Sequence, residues 1–149
     1  MLPNAKISEQ AAVLATIDPI SQGVGTVTTG WISVLHFERF LAMVDVGVFG
    51  ASATVDAKLQ QATTSGGANA KDITGKAIAQ LLAAGGNNRQ ALINLRVQEL
   101  DINNGFNYFR LSITVGTAAT LIMGNVLGGV VTEGSASTYN QAGVAQIVG

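Results

Sequence analysis

The segment from 106 to 115, FNYFRLSITV, places the strongest constraint on the fold. Phe109, Leu111, Ile113 and Val115 alternate with Arg110, Ser112 and Thr114, a period of two that gives one apolar and one polar face only to an extended chain. The same alternation recurs at 54–61, where Val55, Ala57 and Leu59 oppose Asp56, Lys58 and Gln60, and from Ile93 to Gln98. In Phe37 to Val48, Phe40, Ala42, Val44 and Val46 line one face while Leu41 and Met43 stand on the other. A strand that is apolar on both faces belongs in the middle of a sheet.

Turn signals divide these strands. Gly50-Ala51-Ser52, the small polar run 63–70, Gly85-Gly86-Asn87-Asn88 and Asn104-Gly105 each interrupt the alternation. Gly30 marks a bend within the β-branched stretch 23–34, and Thr74-Gly75-Lys76 reads as a bend or bulge in a further strand after Lys71. Gly116-Thr117 matches a Gly-first two-residue hairpin loop, so 106–115 and 118–127 are expected to pair as an antiparallel hairpin. KAIAQLLAA at 76–84 is the one piece rich in helix formers, and a helical turn is the alternative there. About eight strands at spacings of roughly 8–12 residues predict an all-β fold, an antiparallel β-sandwich of the jelly-roll kind.

The ends look different. Pro3 and Pro19 interrupt residues 1–22, which are expected to form an extended N-terminal arm with Val13, Leu14, Ile17 and Ile20 as the residues it buries on a neighbour. The sandwich is assigned to 23–131. Residues 132–149 form a C-terminal tail, small and polar at first, whose Val144 to Val148 reads as a last strand or an exchanged segment with Val144 and Ile147 at an interface.

Charged residues are 11% of the chain, against roughly 25% in ordinary soluble domains, while hydrophobic residues reach 48%. Few charges are left to coat an isolated monomer, so neighbours are expected to cover part of the surface, as in a homo-oligomer or docked subunit. Eight basic and nine acidic residues give a net charge of −1 and no field for nucleic acid. With no cysteine there is no disulfide, thiolate metal site or cysteine nucleophile. MLPNAKISEQ has no basic start followed by an apolar core, and the apolar tract Ala118 to Val131 is shorter than the roughly 20 residues of a membrane-spanning helix; no membrane association is expected.

The chemical motifs fail one by one. A phosphate loop ending at Gly75-Lys76 would need Gly where Ala70 stands and a hydroxyl where Ala77 stands. GVGTVTTG at 23–30 has the wrong spacing for a dinucleotide fingerprint, and no GxSxG is present. The single histidine, His36, cannot build a multi-histidine metal site and is read as a hydrogen-bonded structural residue. Asp45 and Asp56 flank one turn but are read as solvated strand-face charges. No enzyme activity, cofactor or metal is expected. Most aromatics fall in apolar strands; Trp31 and Tyr139 are the two set apart as interface anchors, because each buries a large area while keeping a polar tip wet.

Four stretches carry a resemblance: TVDAKLQQAT at 54–63, KDITGKAI at 71–78, ALINLR at 91–96 and TVGTAA at 114–119. The chain between Gly30 and Ala119 resembles a family of small structural proteins encoded in tailed bacteriophages and prophages. That resemblance implies a virion component, in first place a capsid decoration or cement protein. Such a subunit is made in the host cytoplasm and sits on the capsid surface, as a homotrimer that binds the major capsid protein. The alternatives are a tail, connector or fibre-associated subunit and, from another class, a carbohydrate-binding or hydrolytic sandwich.

Overall fold

A computed structural model describes residues 3–149. Among these, ten strands lie in two antiparallel sheets: β1 (Ala11–Gln22), β2 (Gly25–Thr28), β3 (Ile32–Ser33), β4 (Phe37–Val46), β5 (Thr54–Ala62), β6 (Lys71–Ala77), β7 (Leu81–Leu82), β8 (Arg89–Arg96), β9 (Tyr108–Gly116) and β10 (Thr120–Val131). The first sheet has the order β1-β10-β4-β8 and the second β2-β9-β5-β6. β3 continues the β2 edge alongside β9, and β7 continues the β6 edge alongside β5. The ten strands therefore fill eight positions, four in each sheet.

The pairing is that of a rolled ribbon. β1 pairs with β10, β2 with β9, β4 with β8 and β5 with β6, and the ribbon folds over so that β10 also pairs with β4 and β9 with β5. This is the jelly roll that the strand count and spacing predict. β4 is internal to its sheet, as its two apolar faces require.

The predicted hairpin of 106–115 with 118–127 does not form. β9 and β10 lie in different sheets, and Gly116-Thr117 carries the chain across the sandwich, with Thr117 at φ +71°. The two strands meet face to face instead of edge to edge. Phe109, Leu111, Ile113 and Val115 are all at most 1% exposed, and Leu111 and Ile113 reach across to Gly124 of β10. A Cβ at Gly124 would lie 2.8 Å from Leu111 Cδ2, and one at Gly128 would lie 2.7 Å from the Phe37 ring. Gly124 makes room for side chains of the opposite sheet and Gly128 for Phe37 of its own, the large-against-small fit that a close-packed sandwich needs.

Breaks in the strands have local causes. Between β2 and β3, the Thr29 backbone N–H donates to the Leu111 carbonyl while its hydroxyl accepts from the Leu111 N–H and donates to the Gly30 carbonyl, so the gap in the ladder leaves Leu111 satisfied. The expected irregularity at Thr74-Gly75-Lys76 is present: β6 pairs Ala77 with Lys58 but Asp72 with Gln60, and Gly75 has φ +75°. The helical alternative at 76–84 reduces to a single 3-10 turn, Ala83–Gly85.

Both termini differ from the expectation. Residues 11–22, assigned to an arm from the sequence, are strand β1, preceded by the short helix Ile7–Gln10; residues 1 and 2 lie outside the described residues. Pro19 is accommodated because β1 is an edge strand whose register shifts between Ile17 and Ile20. The tail forms no last strand. It makes a 3-10 turn, Ala136–Tyr139, and then runs along β1, where the Val13 N–H donates to Asn140 Oδ1 (2.8 Å) and the Gln141 N–H to the Val13 carbonyl (2.8 Å). This segment thereby covers part of an open sheet edge, the kind of edge that otherwise invites pairing with another chain.

The connection from β8 to β9 is fastened to β6 by Lys76–Glu99 (3.0 Å) and Lys71–Asp101 (2.6 Å). The Arg96 N–H and then the Lys76 ammonium hold the Glu99 carboxyl below its ordinary value of 4.5. A lowered folded value means that this stability is present above about pH 4.5 and is lost as pH falls through the folded value. Glu99→Gln keeps the acceptor for the Arg96 N–H and removes the charge. We expect it to cost on the order of 1 kcal/mol at neutral pH and to weaken the acid dependence of the thermal midpoint; equal acid dependence in variant and parent would refute the assignment.

Candidate functional site

The eight residues expected at an interface separate in the structure. Ile17 is 4% exposed and belongs to the core, and Leu14 packs inward against Phe37 at Gly128. Val13 is half-buried at the β1 edge, and Ile20 is half-exposed at the far end of the same strand. Val144 is half-buried and Ile147 half-exposed, both outside any strand.

Leu14, Trp31 and Tyr139 come together around a cleft of about 430 Å³ that also includes His36 and Gln141. Its aromatic faces are already in use. The His36 ring stacks on Tyr139 at 4.5 Å, Tyr139 meets Phe37 edge-on at 5.5 Å, and the Arg110 guanidinium lies 4.5 Å over Trp31. The backbone of Gly67 rests against the Trp31 indole so closely that any side chain there would overlap it. The polar loop 63–70 is thus a connector between β5 and β6, closed by Thr63 N–H to Ala68 O and by the Thr64 and Asn69 side chains, and its Gly67 supports Trp31.

The His36 ring, expected to be hydrogen-bonded, stacks on Tyr139, and it is its backbone carbonyl that accepts from the Thr132 N–H and hydroxyl. Asp45 and Asp56 cannot act as a pair, because they lie on different sheets and point to opposite outer faces; Asp56 accepts a hydrogen bond from Gln80 (2.8 Å). Among the described residues there is no group of three or more His, Cys, Asp or Glu placed to hold a metal, and no helix long and apolar enough to cross a membrane. A larger cleft of about 800 Å³ lies where the β3–β4 connection meets 97–107, lined by Leu35, Glu38, Asp101 and Ile102 among others. Asp101 there is held below its ordinary value by Lys71 and Asn104, so its charge is committed to the scaffold.

The feature that sequence reasoning missed is the difference between the two outer faces. On the second sheet the outward side chains satisfy one another: Thr26 with Thr114 (2.7 Å), Lys58 with Asp72 (2.8 Å) and Arg110 with Gln60 (3.0 Å). On the first sheet they include an apolar band, with Val13, Leu41, Met43, Met123 and Leu127 half-buried and Leu92 58% exposed, bordered by Arg39, Arg96, Asp45 and Gln90. The signal was present in the two-sided apolar pattern of β4. What the pattern could not tell is whether another layer covers the second side.

No protein-family model matches the chain, and no curated protein matches it in sequence. Among solved structures it is similar to the SPBc2 prophage-derived protein YomS, with a TM-score of 0.44 and 10% identity over 79% of this chain and 93% of that one. It is also similar to a subunit of the naturally empty top-component particles of Cowpea mosaic virus (TM-score 0.45, 8% identity, 91% and 94% covered). A third is the CBM22-1 xylan-binding domain of Paenibacillus barcinonensis Xyn10C (TM-score 0.40, 11% identity, 85% and 91% covered). The fold assignment stands on the chain's own strand order, and these likenesses carry it no further.

Proposed function

We propose that this chain is a structural subunit of a tailed-phage virion, and within it a capsid decoration protein that binds the major capsid protein as a homo-oligomer, a trimer in the first instance. The observation that carries the reading is the apolar band on the outer face of the first sheet, on a domain whose Lys71, Lys76, His36 and Trp31 side chains are engaged within the chain. The four phage-like stretches lie largely on β5, β6, β8 and β9, the scaffold strands, and supply the phage class. Val13, Ile20, Trp31, Tyr139, Val144 and Ile147 remain the residues proposed to meet neighbours, since Ile17 and Leu14 are taken by the core.

Such a protein needs no reactive centre. It needs many modest contacts that become strong together when the partner subunits are held in an array. The test is to add the purified chain to undecorated shells of the major capsid protein. Binding at a fixed number per shell with a raised shell melting temperature is the expected result. Labelled chain located at the tail, neck or fibre by electron microscopy would replace the capsid role with the tail or connector one, and no binding to any particle would overturn the virion reading.

A further inference from the structure

The outer face of the first sheet has an electrical polarity along its strands. At one end Arg39 of β4 lies directly opposite Arg96 of β8, with Gly129 on the other side. Like charges placed opposite one another on one sheet face repel unless an anion joins them. Among the described residues Arg96 forms an ion pair with Glu99 alone, at 3.7 Å, and Arg39 forms none. At the other end Asp45 lies between Met123 and Gln90, half-buried and likewise without an ion pair among the described residues. Between the two ends runs the apolar band of Leu41, Met43, Leu92 and Leu127.

Arg39 and Asp45 stand three residues to either side of Ala42 on the same strand, so each is about 10 Å from its level along the strand axis. We propose that a second copy of this chain packs on this face, related by a two-fold axis that lies in the interface, perpendicular to the strands, at the level of Ala42. That operation keeps β4 over β4, reverses its direction and sets Asp45 of each copy against the Arg39–Arg96 pair of the other. Leu41 then meets Met43 in the middle. A two-fold parallel to the strands would put Asp45 on Asp45 and the arginines on the arginines, so the charges select one orientation of the two. Thr16, Asn94 and Asn125 interrupt the apolar band, a composition that suits an interface between separately folded copies.

The pairing uses the same apolar face on which the proposed function rests, though it does not need the virion role, and it requires an even copy number: a dimer, or two trimers back to back if a separate contact builds the trimer. The test is the solution mass of the full chain by sedimentation, at low and high salt, for the parent, Asp45→Arg, Arg39→Asp and the double variant. The parent is expected to be even-numbered, each single reversal to weaken pairing at least tenfold, and the double variant to recover part of it, because the charges at 39 and 45 then exchange places while Arg96 stays as it is. Leu41→Glu, on the same outer face, should also dissociate the pair while leaving the circular dichroism of the fold unchanged. A parent that is monomeric or odd-numbered overturns the proposal. So does a double variant no better than the singles, or a chain that binds capsid shells through this face while remaining single in solution.

Discussion

Phe109→Ala is expected to lower stability by about 3–5 kcal/mol, the range for removing a fully buried aromatic ring. Phe109 is 0% exposed and sits in β9, flanked by β3 and β5, with its ring 4.6 Å from that of Phe40 in the opposite sheet. Its ring meets the opposite sheet while its strand is paired on both sides, so the cavity left behind is not closed by moving one strand. Against a total stability of about 5–15 kcal/mol this is a large share, and the thermal midpoint should fall by about 10 °C or more. Thermal unfolding followed by circular dichroism measures it. A drop of under about 3 °C would mean that the two sheets are not packed through this ring.

Gly128→Val should be nearly as damaging, by the opposite mechanism. Its added Cβ would lie 2.7 Å from Phe37 Cγ and 2.8 Å from Leu14 Cδ1, and both neighbours are held in the core. Overpacking of this kind costs about 1–3 kcal/mol, and the rigid Phe37 ring places this site toward the upper end. The adjacent Gly129 supplies the control. A Cβ there meets nothing within 4 Å, because Gly129 faces outward beside Arg39, so Gly129→Val should be near neutral. The two variants change the same atoms one residue apart on opposite faces of one strand. Equal midpoints would show that the inward and outward assignment of β10 is wrong.

The strands were legible because their signal is local. Alternation in β5, β8 and β9 requires only that one face be apolar, and Gly30, Gly75, Gly86 and Gly105 mark the breaks where the backbone bends or takes positive φ. The candidate site was far less legible. Trp31 and Tyr139 could be singled out as large amphipathic side chains, but that both line one cleft depends on how the chain brings together two positions 108 residues apart in sequence (139 minus 31). The polar loop 63–70 was legible as a break between strands, but its place against Trp31 through Gly67 was not.

The sequence by itself determined an all-β chain, the location of β4, β5, β8 and β9, the inward set of residues on β5, β8 and β9, and the absence of the motifs through which phosphate loops, thiolates or histidine clusters work. These follow from side-chain chemistry and from the period of two, both properties of a short window. Only the tertiary structure decided which strands are neighbours. Gly116-Thr117 looked like a hairpin turn yet carries the chain from one sheet to the other, because the apolar faces of β9 and β10 are better buried against each other than side by side. Residues 11–22 looked like a free arm yet complete a sheet, because β10 offers an open ladder that the edge strand satisfies even with Pro19 in it. The apolar outer side of β4 could not be told from a buried one until the layers were counted, since burial depends on what lies above a strand and not on the strand itself.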